Sequence, residues 1–298
     1  MSVIRVIAPA KINWTLEALR VRPDGYHEIR SVLQTIDLHD VITLEDAADI
    51  SIDLRGGAGP LADEPPERNL AYRAAVAFRS RTGLRRGVRI TLEKAIPVAA
   101  GLGGGSSDGA AVLRGLNVLW DAQQPELNLV EVAGEIGSDP PFFIVGGTAE
   151  VSGRGERVAA LDDAIETALL LATPPPAERG EKTAAMFAAL TPDHYSEGHA
   201  TNWLRETVDA RRPIVDGALM NVFERVIARE QPETANAMSA LSAQGHVPHL
   251  CGAGPSFLLL APAEQEIGGI SDRIRELGFE PRLVRTLPRA ASLAIERL

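Results

Sequence analysis

The sequence is poor in cysteine, in aromatic residues and in long apolar runs, and each shortage excludes a class of protein. Cys251 is the only cysteine among 298 residues, so neither an internal disulfide framework nor a multi-cysteine metal site can form. Aromatic residues make up only 4% of the chain, so the core must rely on Leu, Val, Ile and Ala. Apolar runs such as TALLLATP are far too short to span a bilayer, and the start MSVIRVIAPAK lacks the layout of a signal peptide. We therefore expect a cytoplasmic protein without a membrane association.

The chain also lacks an excess of basic residues. It carries 30 Lys and Arg against 40 Asp and Glu, so the net charge is −10 and the pI is near 5.2. That balance disfavours a broad surface for nucleic acid or for anionic lipid, because such surfaces need clustered Lys and Arg. It does not exclude a small anionic ligand in a locally positive pocket. We expect a small-molecule substrate, no nucleic-acid partner, and a monomer or a weak homodimer.

The pattern of apolar residues predicts paired strands and helices that do not alternate strictly, which is typical of an α+β fold. Period-2 alternation or short apolar runs predict strands at residues 2–8, 40–45, 48–54, 87–94, 168–174, 256–262 and 291–298. Helical spacing predicts helices at residues 69–83, at the stretch that ends near 120, and at 216–230, 232–245 and 264–278. The Gly-rich segment SGRGE suggests a seam near residue 155, between lobes of residues 1–155 and 156–298.

The stretch IPVAAGLGGGSSDGAAVLRGLN, residues 96–117, places flexible residues directly before a predicted helix. Four of the five residues from Gly101 to Gly105 are glycine. Glycines let backbone N–H groups approach a ligand, and the start of a helix adds unpaired N–H groups and a partial positive charge. Such a segment binds phosphate, and the hydroxyls of Ser106 and Ser107 add further donors. The alternative is an elaborate turn in which Ser or Asp caps the helix, which a single glycine would serve adequately.

This loop differs from two common phosphate-binding motifs. No lysine follows the glycines, so the G-x-x-x-x-G-K-[ST] pattern is absent. A dinucleotide fingerprint fails because position 106 is Ser where the third glycine would stand.

The segment PVAAGLGGGSSDGAA instead resembles the ATP loop of the GHMP kinases, which include galactokinase, homoserine kinase and mevalonate kinase. Two further motifs agree in order and place, PAKINWTLEAL at Pro9–Leu19 and CGAGPSFLLL at Cys251–Leu260. The resemblance implies a two-lobed α+β fold with the active site in the cleft between lobes, and ATP with Mg²⁺ as the phosphate donor. The residues that it assigns to the ATP loop are Pro97, Val98, Ala99, Ala100, Gly101, Leu102, Gly103, Gly104, Gly105, Ser106 and Ser107.

Within that family, RPDGYHEIRSVLQTIDLHD at Arg22–Asp40 resembles the branch whose substrate carries a cytidine diphosphate, and GSDPPFFIVGGTAEVSGRGE agrees with it. The resemblance implies ATP-dependent phosphorylation of the 2-hydroxyl of a cytidine-diphosphate-linked methylerythritol. Two alternatives stay open. One is another kinase of the family, acting on a mevalonate derivative, homoserine or a sugar. The other is a nucleotide-binding sensor on the same fold without catalysis.

The resemblance also assigns two catalytic residues. Asp139, in GSDPPFF, is expected to be the general base that takes the proton of the attacking hydroxyl. Lys11 is expected to stabilise the ionised Asp139 and the attacking oxygen. Without the family, an N-cap or turn aspartate would explain Asp139 equally well, and a lysine at the position of Lys11 is usually just solvated.

Four residues are expected to bind the acceptor substrate. Asn13 should project to the same side as Lys11 if the strand continues, and should hydrogen-bond substrate hydroxyls or diphosphate. Tyr26 supplies a stacking surface for cytosine, and His27 supplies polar groups for the edge of the base. Phe187 is the candidate for the second aromatic face, although its segment matches the family only loosely.

The third motif should bring backbone close to the phosphates or to the ATP loop, since Gly252 and Gly254 flank Ala253. We interpret Cys251 as a small buried apolar residue. The histidines show no metal-ligand spacing with carboxylates, so we assign no zinc site, and the sequence does not identify a protein ligand for Mg²⁺. Mg²⁺ is expected to arrive on the phosphates of ATP.

Overall fold

Two long strands form the centre of the larger sheet. The computed structural model describes residues 2–56, 64–175 and 182–298. In it, β1 (Val3–Val21) pairs antiparallel with β2 (His27–Ala47) along nearly their whole lengths. The strand prediction covered only the short pieces at 2–8 and 40–45, although residues 10–18 of β1 also alternate between apolar and polar side chains. In the structure all of residues 10–18 are buried, the polar ones included. Register shifts at three places along β1 interrupt the regular pairing with β2.

The remaining strands complete two sheets. They are β3 (Ser51–Gly56), β4 (Gly87–Lys94), β5 (Thr148–Gly153), β6 (Arg157–Ala160), β7 (Ala168–Thr173), β8 (Met220–Asn221), β9 (His249–Leu250), β10 (Phe257–Leu260), β11 (Glu280–Arg285) and β12 (Ile295–Arg297). The first sheet has the order β12-β1-β2-β4-β3, with β5 beside β2, β6 beside β5, and β8 beside β1. The second sheet has the order β11-β7-β10-β9.

The helices pack against these sheets. They are α1 (Leu70–Thr82), α2 (Gly104–Leu119), α3 (Glu126–Ile136), α4 (Pro140–Val145), α5 (Lys182–Ala188), α6 (His199–Asp209), α7 (Ile227–Glu230), α8 (Pro232–Ser242), α9 (Glu264–Glu276) and α10 (Arg289–Ser292). One hydrophobic core joins α1–α4 to the first sheet, and a second joins the smaller sheet to the helices of the other half of the chain. The predicted α+β class is confirmed.

The helix predicted at residues 69–83 is confirmed, together with both of its ends. The side chain of Asn69 accepts a hydrogen bond from the N–H of Ala71 at 2.9 Å, which caps the first turn of α1. Gly83 ends the helix in the left-handed region, with φ of 70°.

The continuous helix predicted at residues 216–230 is wrong. The segment forms two 3₁₀ turns, the short strand β8 and the single-turn α7. Asn221 explains the interruption, because its side chain accepts from the N–H of Phe223 and donates to the carbonyls of Leu250 and Gly252. The helical spacing of apolar residues in this segment therefore does not reflect a helix; the apolar side chains are buried by packing against other segments.

After β6 the chain enters the second sheet with β7, returns to the first sheet with β8, completes the second sheet with β9, β10 and β11, and ends in the first sheet with β12. The boundary at residues 155 and 156 stays a prediction. No helix within the described ranges is long and apolar enough to cross a membrane.

Candidate active site

The helix α2 begins inside the glycine run. Gly103 occupies the N-cap position with φ of 73° and offers no capping side chain. The first N–H to bond back into the helix belongs to Ser107, which donates to the carbonyl of Gly103 at 2.9 Å. The N–H groups of Gly104, Gly105 and Ser106 therefore have no partner within the helix and can bind an anion.

A cavity of about 290 Å³ lies at this loop. Its lining contains every predicted loop residue except Ser107, and adds Leu70 and Lys94. Ser107 is fully buried, and its Oγ has no hydrogen-bond partner within the described residues. The side chain that the sequence placed among the phosphate donors thus points away from the cavity.

The third motif packs directly against the ATP loop. Gly101 has φ of 80°, and a Cβ added to it would lie 2.7 Å from the carbonyl oxygens of Cys251 and Gly254. A Cβ on Gly252, where φ is 56°, would lie 3.1 Å from the carbonyl oxygen of Gly101. The glycines in both motifs are required because the two backbones touch.

Lys11 is held at the junction of these motifs. It lies in the interior of the long strand β1, and its N–H donates to the carbonyl of Leu102 at 2.9 Å. Its Nζ donates to Oδ1 of Asn13 at 2.8 Å, so both side chains do project to one side, as predicted. Asn13 in turn donates to Oγ of Ser31 at 2.8 Å. Lys11 is therefore buried and oriented by hydrogen bonds on two sides.

A second cavity, of about 740 Å³, brings together all six residues assigned to catalysis and acceptor binding. These residues are Lys11, Asn13, Tyr26, His27, Asp139 and Phe187. Gly101 and Gly103 line both this cavity and the cavity at the ATP loop. The two cavities therefore meet at the glycine loop.

Asp139 stands at the N-cap position of α4, yet its side chain makes no capping hydrogen bond. The helix α4 starts on Pro140 and Pro141, which are tolerated in the first turn. Among the described residues, no ion pair within 4.0 Å joins Asp139 to Lys11, so the direct pairing inferred from the resemblance is not present. The carboxylate is left available to a ligand.

The aromatic residues of the second cavity form a small cluster. The rings of His27 and Phe187 stack with centroids 5.2 Å apart and an angle of 25° between planes. Tyr195, which the sequence reasoning missed, lies edge-on to His27 and brings its hydroxyl to 3.3 Å from Nε2. Burial lowers the pKa of His27, so its ring is neutral at pH 7.

Tyr26 is 53% exposed and presents its ring at the mouth of the same cavity. The guanidinium of Arg154 lies 5.3 Å from the centre of this ring, within cation–π range. Arg154 also lines the cavity; its backbone N–H donates to Oε2 of Glu156 at 2.6 Å, whereas its guanidinium has no carboxylate partner within the described residues. The sequence analysis did not identify Arg154 as a residue of the site, because the segment SGRGE was interpreted as a boundary between two lobes.

The residues around the ATP loop do not form a metal cage. No group of three or more His, Cys, Asp or Glu side chains that could hold a metal ion occurs in the part of the chain that is described. The two carboxylates near the loop, Asp40 and Asp108, are both bonded to Lys94. Both carboxylates near the loop are therefore engaged by the same lysine.

Comparison with known proteins identifies relatives over nearly the whole chain. Residues 69–147 match the model of the family described as GHMP kinases N terminal domain. A 4-diphosphocytidyl-2-C-methyl-D-erythritol kinase of Symbiobacterium thermophilum is 41% identical, covering 93% of this chain and 98% of the relative. A solved structure of 4-(cytidine 5'-diphospho)-2C-methyl-D-erythritol kinase has 29% identity and a TM-score of 0.76, with 95% and 98% coverage. Homoserine kinase from Cytophaga hutchinsonii shares the fold, with 16% identity, a TM-score of 0.74, and 99% and 97% coverage.

Proposed function

Because the chain belongs to the family of 4-diphosphocytidyl-2-C-methyl-D-erythritol kinases, we propose that it transfers the γ-phosphoryl group of ATP to the 2-hydroxyl of 4-diphosphocytidyl-2-C-methyl-D-erythritol. The observation that carries this proposal is the meeting of two cavities at Gly101 and Gly103. One cavity has the unpaired N–H groups that suit a polyphosphate, and the other has the aromatic and ionisable groups that suit a nucleotide-linked alcohol.

Asp139 is the proposed general base. Its carboxylate lines the acceptor cavity and makes no capping bond, so it can accept the proton of the substrate hydroxyl. As the proton moves to Asp139, the alcohol oxygen forms a bond to the γ-phosphorus, and the bond from that phosphorus to the β-bridging oxygen breaks to release ADP. A positioned base of this kind contributes about 10²–10⁴-fold in rate.

Lys11 is the proposed cation at the reacting centre. Its ammonium lies beside the third motif, since a Cβ on Gly252 would be 2.9 Å from Nζ, and its Cγ lies beside the glycine loop, 3.0 Å from a Cβ on Gly103. Because no ion pair ties Lys11 to Asp139 among the described residues, each group can act on the reacting atoms directly. A buried cation here stabilises the charge that develops on the transferred phosphoryl oxygens. Mg²⁺ belongs to the bound nucleotide in this proposal, and no step depends on a metal held by the protein.

The acceptor's base is proposed to stack on Tyr26, with Phe187 and His27 forming the rest of the pocket. The exposed face of Tyr26 and the stacked pair of His27 and Phe187 line one cavity, which supports this assignment. Arg154 adds a cation to the same wall and suits the diphosphate of the substrate.

The decisive experiment is an ADP-release assay with 4-diphosphocytidyl-2-C-methyl-D-erythritol. We expect turnover by the wild type, a fall in kcat of about 10²–10⁴-fold for Asp139→Asn with ATP binding kept, and no change for Asp162→Asn. Asp162 is a suitable control because it is exposed and does not line either cavity. Turnover of Asp139→Asn at the wild-type rate would refute the role of the base.

The same assay separates the alternatives. Another kinase of this fold would release ADP with a mevalonate derivative, homoserine or a sugar, and would ignore the cytidine substrate. A sensor would bind ATP and release no ADP with any acceptor. We also propose a cytoplasmic monomer or weak homodimer without affinity for nucleic acid or membranes, in keeping with the net charge of −10. Sedimentation analysis of the purified protein tests the oligomeric state.

A further inference from the structure

A buried cluster of three ionisable side chains lies behind the ATP loop. Lys94, the last residue of β4, donates from Nζ to Oδ2 of Asp108 in α2 at 2.8 Å and also to Oδ2 of Asp40 in β2. The side chains of Lys94, Asp40 and Asp108 are 2%, 0% and 3% exposed. Three secondary-structure elements, β2, β4 and α2, thus meet at one buried contact.

The cluster makes hydrogen bonds at both ends of the ATP loop. Oδ1 of Asp40 accepts hydrogen bonds from the N–H groups of Ala95 and Ile96, at 2.6 and 2.8 Å, where the chain enters the loop. Lys94 lines the loop cavity, and a Cβ on Gly104, the first residue of α2, would lie 3.3 Å from its Nζ. Asp108 holds the same ammonium from the second turn of α2. The shape of the phosphate site therefore depends on these three side chains.

The cluster has one cation for two carboxylates, so a proton decides whether its net charge is zero or −1. Both oxygens of Asp40 accept hydrogen bonds, whereas Oδ1 of Asp108 is buried without a partner in the described residues. The proton therefore belongs on Asp108. In agreement, burial raises the pKa of Asp108 to about 7, although the charge of Lys94 opposes this.

Within the described residues, no other charged group acts on Asp108. The charges that act on Asp108 are those of Lys94 and Asp40. On the neighbouring face of α2, Gly109 lies against the carbonyl of Leu70 from α1 and the side chain of Ile136 from α3, which are uncharged. Lys11, from β1, contacts the far side of Gly103 at the mouth of the loop.

We propose that the Asp40–Lys94–Asp108 cluster is a positioning device for the nucleotide and that the loop binds ATP together with one proton on Asp108. Asp108 follows Gly104 by four residues, which is roughly 6 Å along a helix axis. A negative charge at that distance inside a dry core repels the phosphates of ATP, and a neutral carboxylic acid does not. The proposal rests on the ATP site assigned above.

Calorimetric titration with MgATP alone, without an acceptor, measures this proton. The apparent binding enthalpy is recorded at pH 7.5 in Pipes, Hepes and Tris, and its dependence on the ionisation enthalpy of the buffer counts the protons taken up. If bound ATP raises the pKa of Asp108 by one unit, the wild type takes up about 0.5 proton more than Asp108→Asn. Protonation of the nucleotide itself is common to both proteins and cancels in the difference.

Asp121→Asn is the matched control, because Asp121 is exposed just beyond the opposite end of α2. It should take up as many protons as the wild type, and equal proton numbers in all three proteins would overturn the proposal. A purely structural role for Asp108 would change the affinity for MgATP but not the proton number.

If circular dichroism shows that Asp108→Asn is unfolded, a pH series on the wild type decides. Proton uptake that is largest near pH 7.5 and absent by pH 9.5 supports the proposal, and uptake independent of pH overturns it. Failure of the wild type to bind MgATP at all would instead overturn the ATP site itself, and this proposal with it.

Discussion

Replacement of Gly101 by alanine tests whether the ATP loop and the third motif depend on each other. Gly101 has φ of 80°, and an alanine Cβ would meet the carbonyl oxygens of Cys251 and Gly254 at 2.7 Å. Both obstacles are backbone atoms, so neither can rotate away. One of the two loops must move.

Gly83 provides the matched control. It has φ of 70°, so alanine there carries a similar backbone cost, but a Cβ would meet nothing within 4 Å. We expect Gly83→Ala to lower the free energy of unfolding by roughly 1–2 kcal/mol, the usual cost of a left-handed alanine. Gly101→Ala carries that cost and an overpacking cost of about 1–3 kcal/mol in addition.

The effect on catalysis follows from the same distances. Relief of a 2.7 Å contact to an ordinary separation of 3.4 Å moves the loops apart by about 0.7 Å, the difference of the two values. A displacement of 1 Å at a reacting centre can cost about 10²-fold, so kcat/KM of Gly101→Ala should fall on the order of 10- to 100-fold. Gly83→Ala should keep the wild-type value.

Urea denaturation and the ADP-release assay measure the two effects on the same preparations. The reasoning is refuted if Gly101→Ala is no less stable than Gly83→Ala and retains its kcat/KM. Loss of stability without loss of activity would show that the loops touch but that their contact does not position the reacting groups.

Three further predictions concern single side chains. Arg154→Ala should raise KM for the cytidine substrate about tenfold through loss of a charged contact, whereas exposed Arg157→Ala should not; equal KM values would contradict the assignment. Cys251, whose pKa burial raises to about 12, should react with a thiol reagent only after unfolding, so rapid labelling of the native protein would contradict its burial. Burial lowers the pKa of His27 from 6.5, so its NMR titration should have a midpoint below 6.5 and not above it. The stability that His27 contributes is present above pH 6.5 and is lost as the pH falls through the lower folded value.

Much of the candidate site could be predicted because its motifs are local in sequence. A run of glycines before an apolar helical pattern predicts a phosphate loop from five or six adjacent residues, and α2 does start there. The helix begins at Gly104, inside the glycine run. Gly103 before it takes a left-handed backbone conformation, which glycine adopts without steric cost. Ser107 shows the limit, since the rotation of a helix decides which of two adjacent hydroxyls faces the cavity.

Other features could not be predicted because they depend on contacts between distant segments. The interruption at Asn221 follows from hydrogen bonds to the third motif, about thirty residues away in the numbering. Residues 10–18 of β1 alternate between apolar and polar side chains, as strands do, but only the tertiary structure shows that the polar side chains are buried as well. Phe187 could be named as an aromatic of the pocket, but its partner in the stack proves to be His27.

Local motifs carry the prediction of this protein's chemistry: the phosphate loop, the proposed base Asp139, the proposed cation Lys11 and the ring of Tyr26 each lie in a short segment that resembles the family. The tertiary structure alone decides how these parts meet. It places Arg154 over Tyr26, brings Gly101 against Gly254, and holds Lys94 between Asp40 and Asp108. The physical reason is that strand register and helix packing set these distances, and both are determined by the whole core rather than by any local pattern.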